Sequence, residues 1–418
     1  MQTLRLLSGI VLAMLLATGT ALADNHEGGD ESTDESEDSG DSGEETPAPE
    51  PAPAPEPEPA PEPEPEPEAA PVAEAAPVAE AAPAAPSVSF KVDLRERARF
   101  WIVPTAEGAW DIENLAHVGI SAGMGPVFGR VEIRGTHSFA TGPAFALQQA
   151  YAGFSLDNGL TLMAGRLETS WHNGRLVDDI DWTQGGNSFD GVTVVLSKEK
   201  VEAQAAYIKL DPSPDHHVIA LRGGPRLGDP LMLDVVAIIV ADTAADTTLA
   251  TVGAYAKGNM GIFGWEVDGY GQFGKAGDAE VSKEFTLGVR AGVSPEHAIK
   301  PYIGGGVDVV SAGFNQLLGN SHTFYGHLDA PGLTGSGLID GFARIGLSPY
   351  SSLAMNIDLH AFVSPWADEA FVGFEADIEA TWMMFDKMAL TAGAWIFVPG
   401  GEEPSPTVAL LVQSDWKF

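Results

Sequence analysis

The chain has 418 residues, 44% of them hydrophobic, with 59 Asp and Glu against 22 Lys and Arg and no cysteine. That length allows a substantial folded unit plus extra segments, and the missing cysteine excludes disulfides, thiolate metal sites and an acylated N-terminal cysteine. A net charge of −37 argues against a nucleic-acid partner.

Residues 1–23, "MQTLRLLSGIVLAMLLATGTALA", place Arg5 ahead of an apolar run from Leu6 to Leu16 and end in Ala21-Leu22-Ala23 before Asp24. The pattern reads as a secretory signal cleaved after Ala23. No later apolar run approaches the roughly 20 residues that a spanning helix requires, so a membrane form would have to cross as strands.

Residues 24–86 read as a disordered, acidic and Pro/Glu/Ala-rich periplasmic linker. "DNHEGGDESTDESEDSGDSGEE" offers almost no apolar surface, and the following Pro-rich stretch favours an extended polyproline II chain. This linker holds about 20 of the acids and no Lys or Arg, so the remainder of the mature chain is acidic by about 18. Two roles fit it, a solvated spacer or an arm that grips peptidoglycan or a periplasmic partner. Calcium binding by "DESTDESEDSGD" is diffuse, because the segment lacks the ordered Gly and terminal Glu of an EF-hand loop.

Residues 87–418 are short alternating segments separated by Gly, Pro, Asn and Asp, which is an all-β signature. "FKVDLRERARFWI", "VFGRVEIR", "GVTVVLS", "VEAQAAYIKL", "WEVDGYGQF", "LAMNIDLHAF" and "FVGFEADIEATW" each carry one apolar and one polar face. About eighteen strands of roughly 9 to 11 residues are expected, an even number that brings both ends of the chain to one side. Short turns at "GMGP", "LDNG", "SKEK", "SPYSS" and "MFDKM" interleave with long polar loops near residues 167–187 and 310–337. The sum is a transmembrane antiparallel β-barrel of about 18 strands in the outer membrane of a Gram-negative bacterium. It would contact outer-membrane lipid and lipopolysaccharide as a monomer. At the C-terminus, Val408, Leu410, Val412, Trp416 and Phe418 would face lipid, and Phe418 would address the barrel-insertion machinery.

Alternation assigns Arg95, Arg97, Arg99, Arg130, Arg134, Arg290 and Arg344 to the lumen. Glu266, Asp268, Asp358, Glu375, Asp377 and Glu379 fall on polar faces of later strands. A basic and an acidic arc on the pore wall follow from this. Two readings stand: a constriction that orients a charged or hydroxyl-rich solute, or cross-strand pairs that rigidify the wall. His172, His216, His217 and His322 lie in or near loops without a Ser or acid at triad spacing, so no catalytic site is expected. His216 and His217, though beside Asp215, point to opposite faces of a strand and make a poor metal pair. No cofactor or metal is expected.

Several stretches resemble the alginate export family of outer-membrane porins. "QQAYAGF", "LTLMAGR" and "GRLVDDIDWTQGGNSFDGVTV" are similar to that family's AGR strand end, RLV…DW loop and FDG strand start. "FNQLLGNSHTFYGHLD" resembles its long-loop motif, and "FVGFEADIEATW" with "LTAGAWIFVPG" its last hairpins. The resemblance implies an eighteen-stranded barrel whose basic lumen passes an anionic polysaccharide such as alginate. It highlights Arg166, Arg175, Asp181, Trp182, Phe189, Asp190 and His322, of which Arg166, Arg175 and Asp190 join the pore-lining candidates. Asp178, Asp179 and Thr323 stand where relatives often carry basic residues, and an acidic barrel is a poor electrostatic match for polyuronate. The rival reading is an outer-membrane anchor that tethers the acidic arm to the envelope.

Overall fold

A computed structural model describes residues 85–418 apart from 103–108, 210–214, 228–230, 317, 330–336, 368–369 and 402–404. The expected signal and nearly all of the linker therefore lie outside the described residues. The strands are β1 (Ser87–Ile102), β2 (Ala109–Met124), β3 (Val127–Ser138), β4 (Gly142–Ser155), β5 (Leu160–Leu167) and β6 (Phe189–Lys198). They continue as β7 (Val201–Lys209), β8 (His216–Pro225), β9 (Leu231–Asp242), β10 (Thr247–Met260), β11 (Phe263–Ala276) and β12 (Ala279–Val293). The last six are β13 (Tyr302–Val310), β14 (Leu338–Tyr350), β15 (Leu353–Val363), β16 (Phe371–Phe385), β17 (Met388–Pro399) and β18 (Thr407–Lys417).

Each strand pairs antiparallel with its neighbours in sequence, and β1 also pairs with β18, which closes an 18-stranded barrel. The seam sets Leu94 opposite Trp416 and Ala98 opposite Val412. It is finished by the last residue, whose amide donates to the Val92 carbonyl at 2.8 Å. The strands run from 8 residues in β5 to 16 in β1 and β2, a wider spread than the sequence suggests. At about 3.3 Å per residue, the longest exceed what a tilted crossing needs and so project past an apolar belt.

The period of two decides which side each residue takes. Val118, Val131, Ile133, Phe145, Val235, Phe374, Leu410 and Val412 all point outward, and Phe145 is 82% exposed. An exposed apolar surface on strand after strand is suited to lipid rather than water. Among the described residues no helix is long and apolar enough to cross a membrane. On the rim that carries both ends of the barrel most of the described turns are tight, and Gly125 in the β2–β3 turn has φ 59°, a left-handed conformation that a side chain would strain. The opposite rim carries two long loops, residues 168–188 and 311–337.

Candidate functional site

Both long loops turn into the barrel, and the strands receive them with an apolar surface. Ala206 and Ile208 on β7, Val218 and Ala220 on β8, and Val236 and Ile238 on β9 face inward. They pack against Trp171, Leu176 and Val177 of the first loop and Leu318 of the second. A second cluster buries Phe324 and Tyr325 against Val310, Leu338 and Phe362. A third packs Trp182 and Leu328 against Trp395, Ala409, Leu411 and Trp101. The loops also bind each other, through a parallel bridge between Val177 and Leu318 and the Asp178 amide donating to the Leu318 carbonyl at 2.8 Å.

Polar contacts then fix the first loop at three points. Arg175 is fully buried, with Nε 2.6 Å from Asp268 Oδ2, a second ion pair to Asp308, and the guanidinium 3.9 Å above the Phe324 ring. Burial opposes the Arg175 charge, yet Asp308 and Asp268 outweigh it and raise its pKa above the ordinary arginine value. Asn173 Nδ2 donates to Glu266 at 2.9 Å and to Asp268 at 2.8 Å, and His172 stacks on Tyr255 while its Nε2 lies 2.8 Å from Asp234.

The third point is the basic face of β1. Arg95 donates to Asp415 at 2.9 Å and to the Asp181 carbonyl and carboxylate at 2.6 and 2.9 Å. Arg97 donates to the Trp182 carbonyl at 3.0 Å, contacts Glu113 at 3.4 Å and lies over the Trp182 ring. Arg99 pairs with the same Glu113, and Arg134 donates to the Thr183 carbonyl. The three β1 arginines do face inward, but they do not form a free basic track. They neutralise carboxylates, and Arg95 and Arg97 also hold residues 181 and 182.

The other candidates divide similarly. Arg130 pairs with Glu132, Arg290 with Glu266 and Asp308, and Arg344 holds Asp358 through two bonds of 2.6 and 2.8 Å. Glu375 and Asp377 are buried under the second loop: Glu375 accepts from the Leu328 amide at 2.9 Å, and Asp377 lies 3.2 Å from His327 Nδ1. Glu379 Oε2 is 3.7 Å from His327 Nε2. Arg166 and Asp190 correct the lumen assignment. Phe189 and Leu167 are the buried inward residues of β6 and β5, so their neighbours point outward, where Arg166 Nη1 meets Asp190 at 2.7 Å. His322 stacks on Trp182 at 4.4 Å.

Sequence reasoning missed Asp308, Tyr325, His327, Glu113 and the apolar floor of β7 to β9. A signal for that floor was present: "HHVIALR" and "LMLDVVAIIV" have apolar residues on both faces, the mark of a strand covered on both sides.

His327 gives the second loop a pH dependence. Burial lowers its pKa, but the hydrogen bond and charge of Asp377, with Glu379 and Asp358 beyond, outweigh this and raise it above 6.5. A raised value means that His327 stabilises the docked loop fully below about pH 6.5 and loses that contribution as pH climbs through the raised value. Single-channel records should show more loop opening at alkaline pH, and Asp377→Asn should flatten the profile. A profile unchanged by D377N would refute the linkage.

Between the first loop and the rim that carries the chain ends lies a cavity of about 490 Å³. Asp179, Asp181, Glu168 and His117 line it on the loop side, Asp386, Lys387 and Lys417 on the rim side, and Lys91, Asp93, Arg95 and Asp415 between. Burial raises both Glu168 and Asp179 from their ordinary values, nearby acids add to the effect, and the Gln148 hydrogen bond opposes it at Glu168.

With this geometry, three comparisons can be placed. The alginate export family matches residues 143–328, the segment that holds the first loop and most of the second. No curated protein matches. Among solved structures, OccK1 (OpdK) of Pseudomonas aeruginosa aligns with TM-score 0.60 at 10% identity, over 79% of this chain and 99% of that one. OpdK with vanillate aligns with TM-score 0.61 at 11% identity, over 79% and 99%. OccD3 (OpdP) of the same organism aligns with TM-score 0.59 at 11% identity, over 79% and 91%. At such identities these structures speak for the fold. The chain is an eighteen-stranded β-barrel of outer-membrane porin fold whose residues 143–328 match the model of the alginate export family.

Proposed function

We propose that the protein is a channel of the Gram-negative outer membrane for passive passage of a charged or hydroxyl-rich solute, and that it prefers cations to anions. The observation behind this reading is the cavity under the first loop, where Asp93, Glu168, Asp179, Asp181, Asp386 and Asp415 outnumber Lys91, Arg95, Lys387 and Lys417. Arg95 is moreover occupied by Asp181 and Asp415. A lumen whose arginines are paired within the wall repels a polyuronate and still offers hydrogen bonds to hydroxyls. The family match makes alginate the anionic solute to test against. In this reading the apolar belt meets lipid and lipopolysaccharide, Phe418 serves barrel insertion, and the acidic linker extends into the periplasm.

Planar-bilayer currents of the refolded protein, with neutral oligosaccharide or oligouronate added, test the choice of solute. The neutral sugar should reduce the current and the uronate should leave it unchanged at equal concentration. Block by the uronate alone would restore the polysaccharide reading. The docked loops favour one alternative, a closed barrel that anchors the acidic arm to the envelope, which requires the absence of current.

A further inference from the structure

The inner wall of β2 and β3 and the foot of the first loop bring together His117, Glu132 and Glu168, each with a ligand atom within 4.8 Å of the other two. The bonding of the histidine gives this cluster its meaning. His117 Nδ1 lies 2.8 Å from Glu132 Oε1. A carboxylate there accepts the Nδ1 proton, which leaves a lone pair on Nε2. That Nε2 is buried, on a residue 5% exposed, and has no hydrogen-bond partner among the described residues.

The two carboxylates differ in a way that assigns their roles. Glu132 is neutralised by Arg130 and by Lys91 at 3.6 Å, which suits it to orienting the imidazole. Glu168 makes no salt bridge within 4.0 Å to a Lys or Arg among the described residues, and Arg134 acts on it only at longer range. The Gln148 and Gln149 amides donate to its two oxygens at 2.6 and 2.7 Å, which fixes the carboxylate without cancelling its charge. Asp179 borders the same cavity as His117 and Glu168.

We propose that His117 Nε2 and Glu168, with Asp179 on the same side of the cavity, bind a divalent transition-metal cation such as zinc, and that Glu132 is the positioning residue behind His117. A histidine that donates Nδ1–H to a carboxylate and presents Nε2 is the arrangement in which proteins hold such metals. An imidazole beside carboxylates selects zinc-like ions over calcium and magnesium, which favour oxygen alone. Because Glu168 and Asp179 belong to the first loop and His117 to the wall, the ion would tie the loop down. The proposal does not rest on any transported solute.

The test is titration of the refolded chain, residues 24–418 in detergent, with Zn²⁺ by calorimetry and with Co²⁺ by visible absorption. One tight site is expected, with the absorption bands of nitrogen and oxygen ligation. Its affinity should fall at least about tenfold in His117→Gln and in Glu168→Gln, and about 10–100-fold in Glu132→Gln. His322→Gln should leave it unchanged, as should the His26 and acidic residues of the linker when neutralised. Binding that is equally tight in wild type, H117Q and E168Q would overturn the proposal, and so would the absence of a tight site in the wild type. Thermal unfolding of each variant verifies the barrel, and E168Q at the loop foot decides the matter if the buried H117Q does not fold.

Discussion

Replacing Arg175 with Met will release the first loop from the barrel wall. The side chain is fully buried between Asp268 and Asp308, which are themselves buried, so the substitution removes one of the two arginine partners of each carboxylate. Breaking a buried ion pair from one side costs about 3–5 kcal/mol. Arg290 still reaches both carboxylates, which moderates the loss but supplies neither the Tyr325 hydroxyl contact nor the link to the loop backbone. Lysine will not restore the wild type, because an ammonium cannot bridge Asp268, Asp308 and Tyr325 at once while lying flat on Phe324. Hydrogen exchange of residues 168–188 measures the effect directly. Protection should collapse in R175M and recover little in R175K, with the strand amides unchanged. Wild-type protection in R175M would mean that the apolar contacts of Trp171 and Val177 suffice.

Replacing residues 312–336 with a short Gly-Ser turn will raise single-channel conductance severalfold. The excised segment carries Phe324 and Tyr325, which fill the interior between β13, β14 and β15. It also carries Leu318, which pairs with Val177, and His327 and Leu328, which cover Asp377 and Glu375. Its removal therefore empties part of the lumen and loosens the first loop as well. The exposed carboxylates should also make the current more cation-selective. An unchanged current would show that the loop does not stand in the permeation path.

The barrel was legible in the sequence because a period of two survives any detail of packing. Phe90, Phe100 and Ile102 alternate with Arg95, Arg97 and Arg99, and closure of the sheet preserves that order. The two long loops were also legible in extent, from their polar composition and from the tight turns opposite. Where those loops go is a tertiary matter. Nothing local in "GRLVDDIDW" says that Arg175 descends to meet Asp268 and Asp308, residues some 93 and 133 positions away. The pairing of Arg95 was hidden for the same reason, since Asp415 and Asp181 reach it only through closure and loop docking, whereas Glu113 meets Arg97 and Arg99 across the neighbouring strand β2. Arg166 and Asp190 misled because their motifs sit at strand ends, where a family pattern gives position along the chain but not the face. Reading Leu167 and Phe189 as the inward pair would have placed them.

An acidic, internally paired lumen narrowed by two docked loops is most directly tested by the reversal potential of the refolded protein in a planar bilayer under a salt gradient. A potential displaced toward the cation equilibrium value, moving closer to zero as salt screens the carboxylates, is the expected result. A potential displaced toward the anion value would mean that Arg95, Arg97 and Arg99 govern permeation despite their partners, and would contradict it.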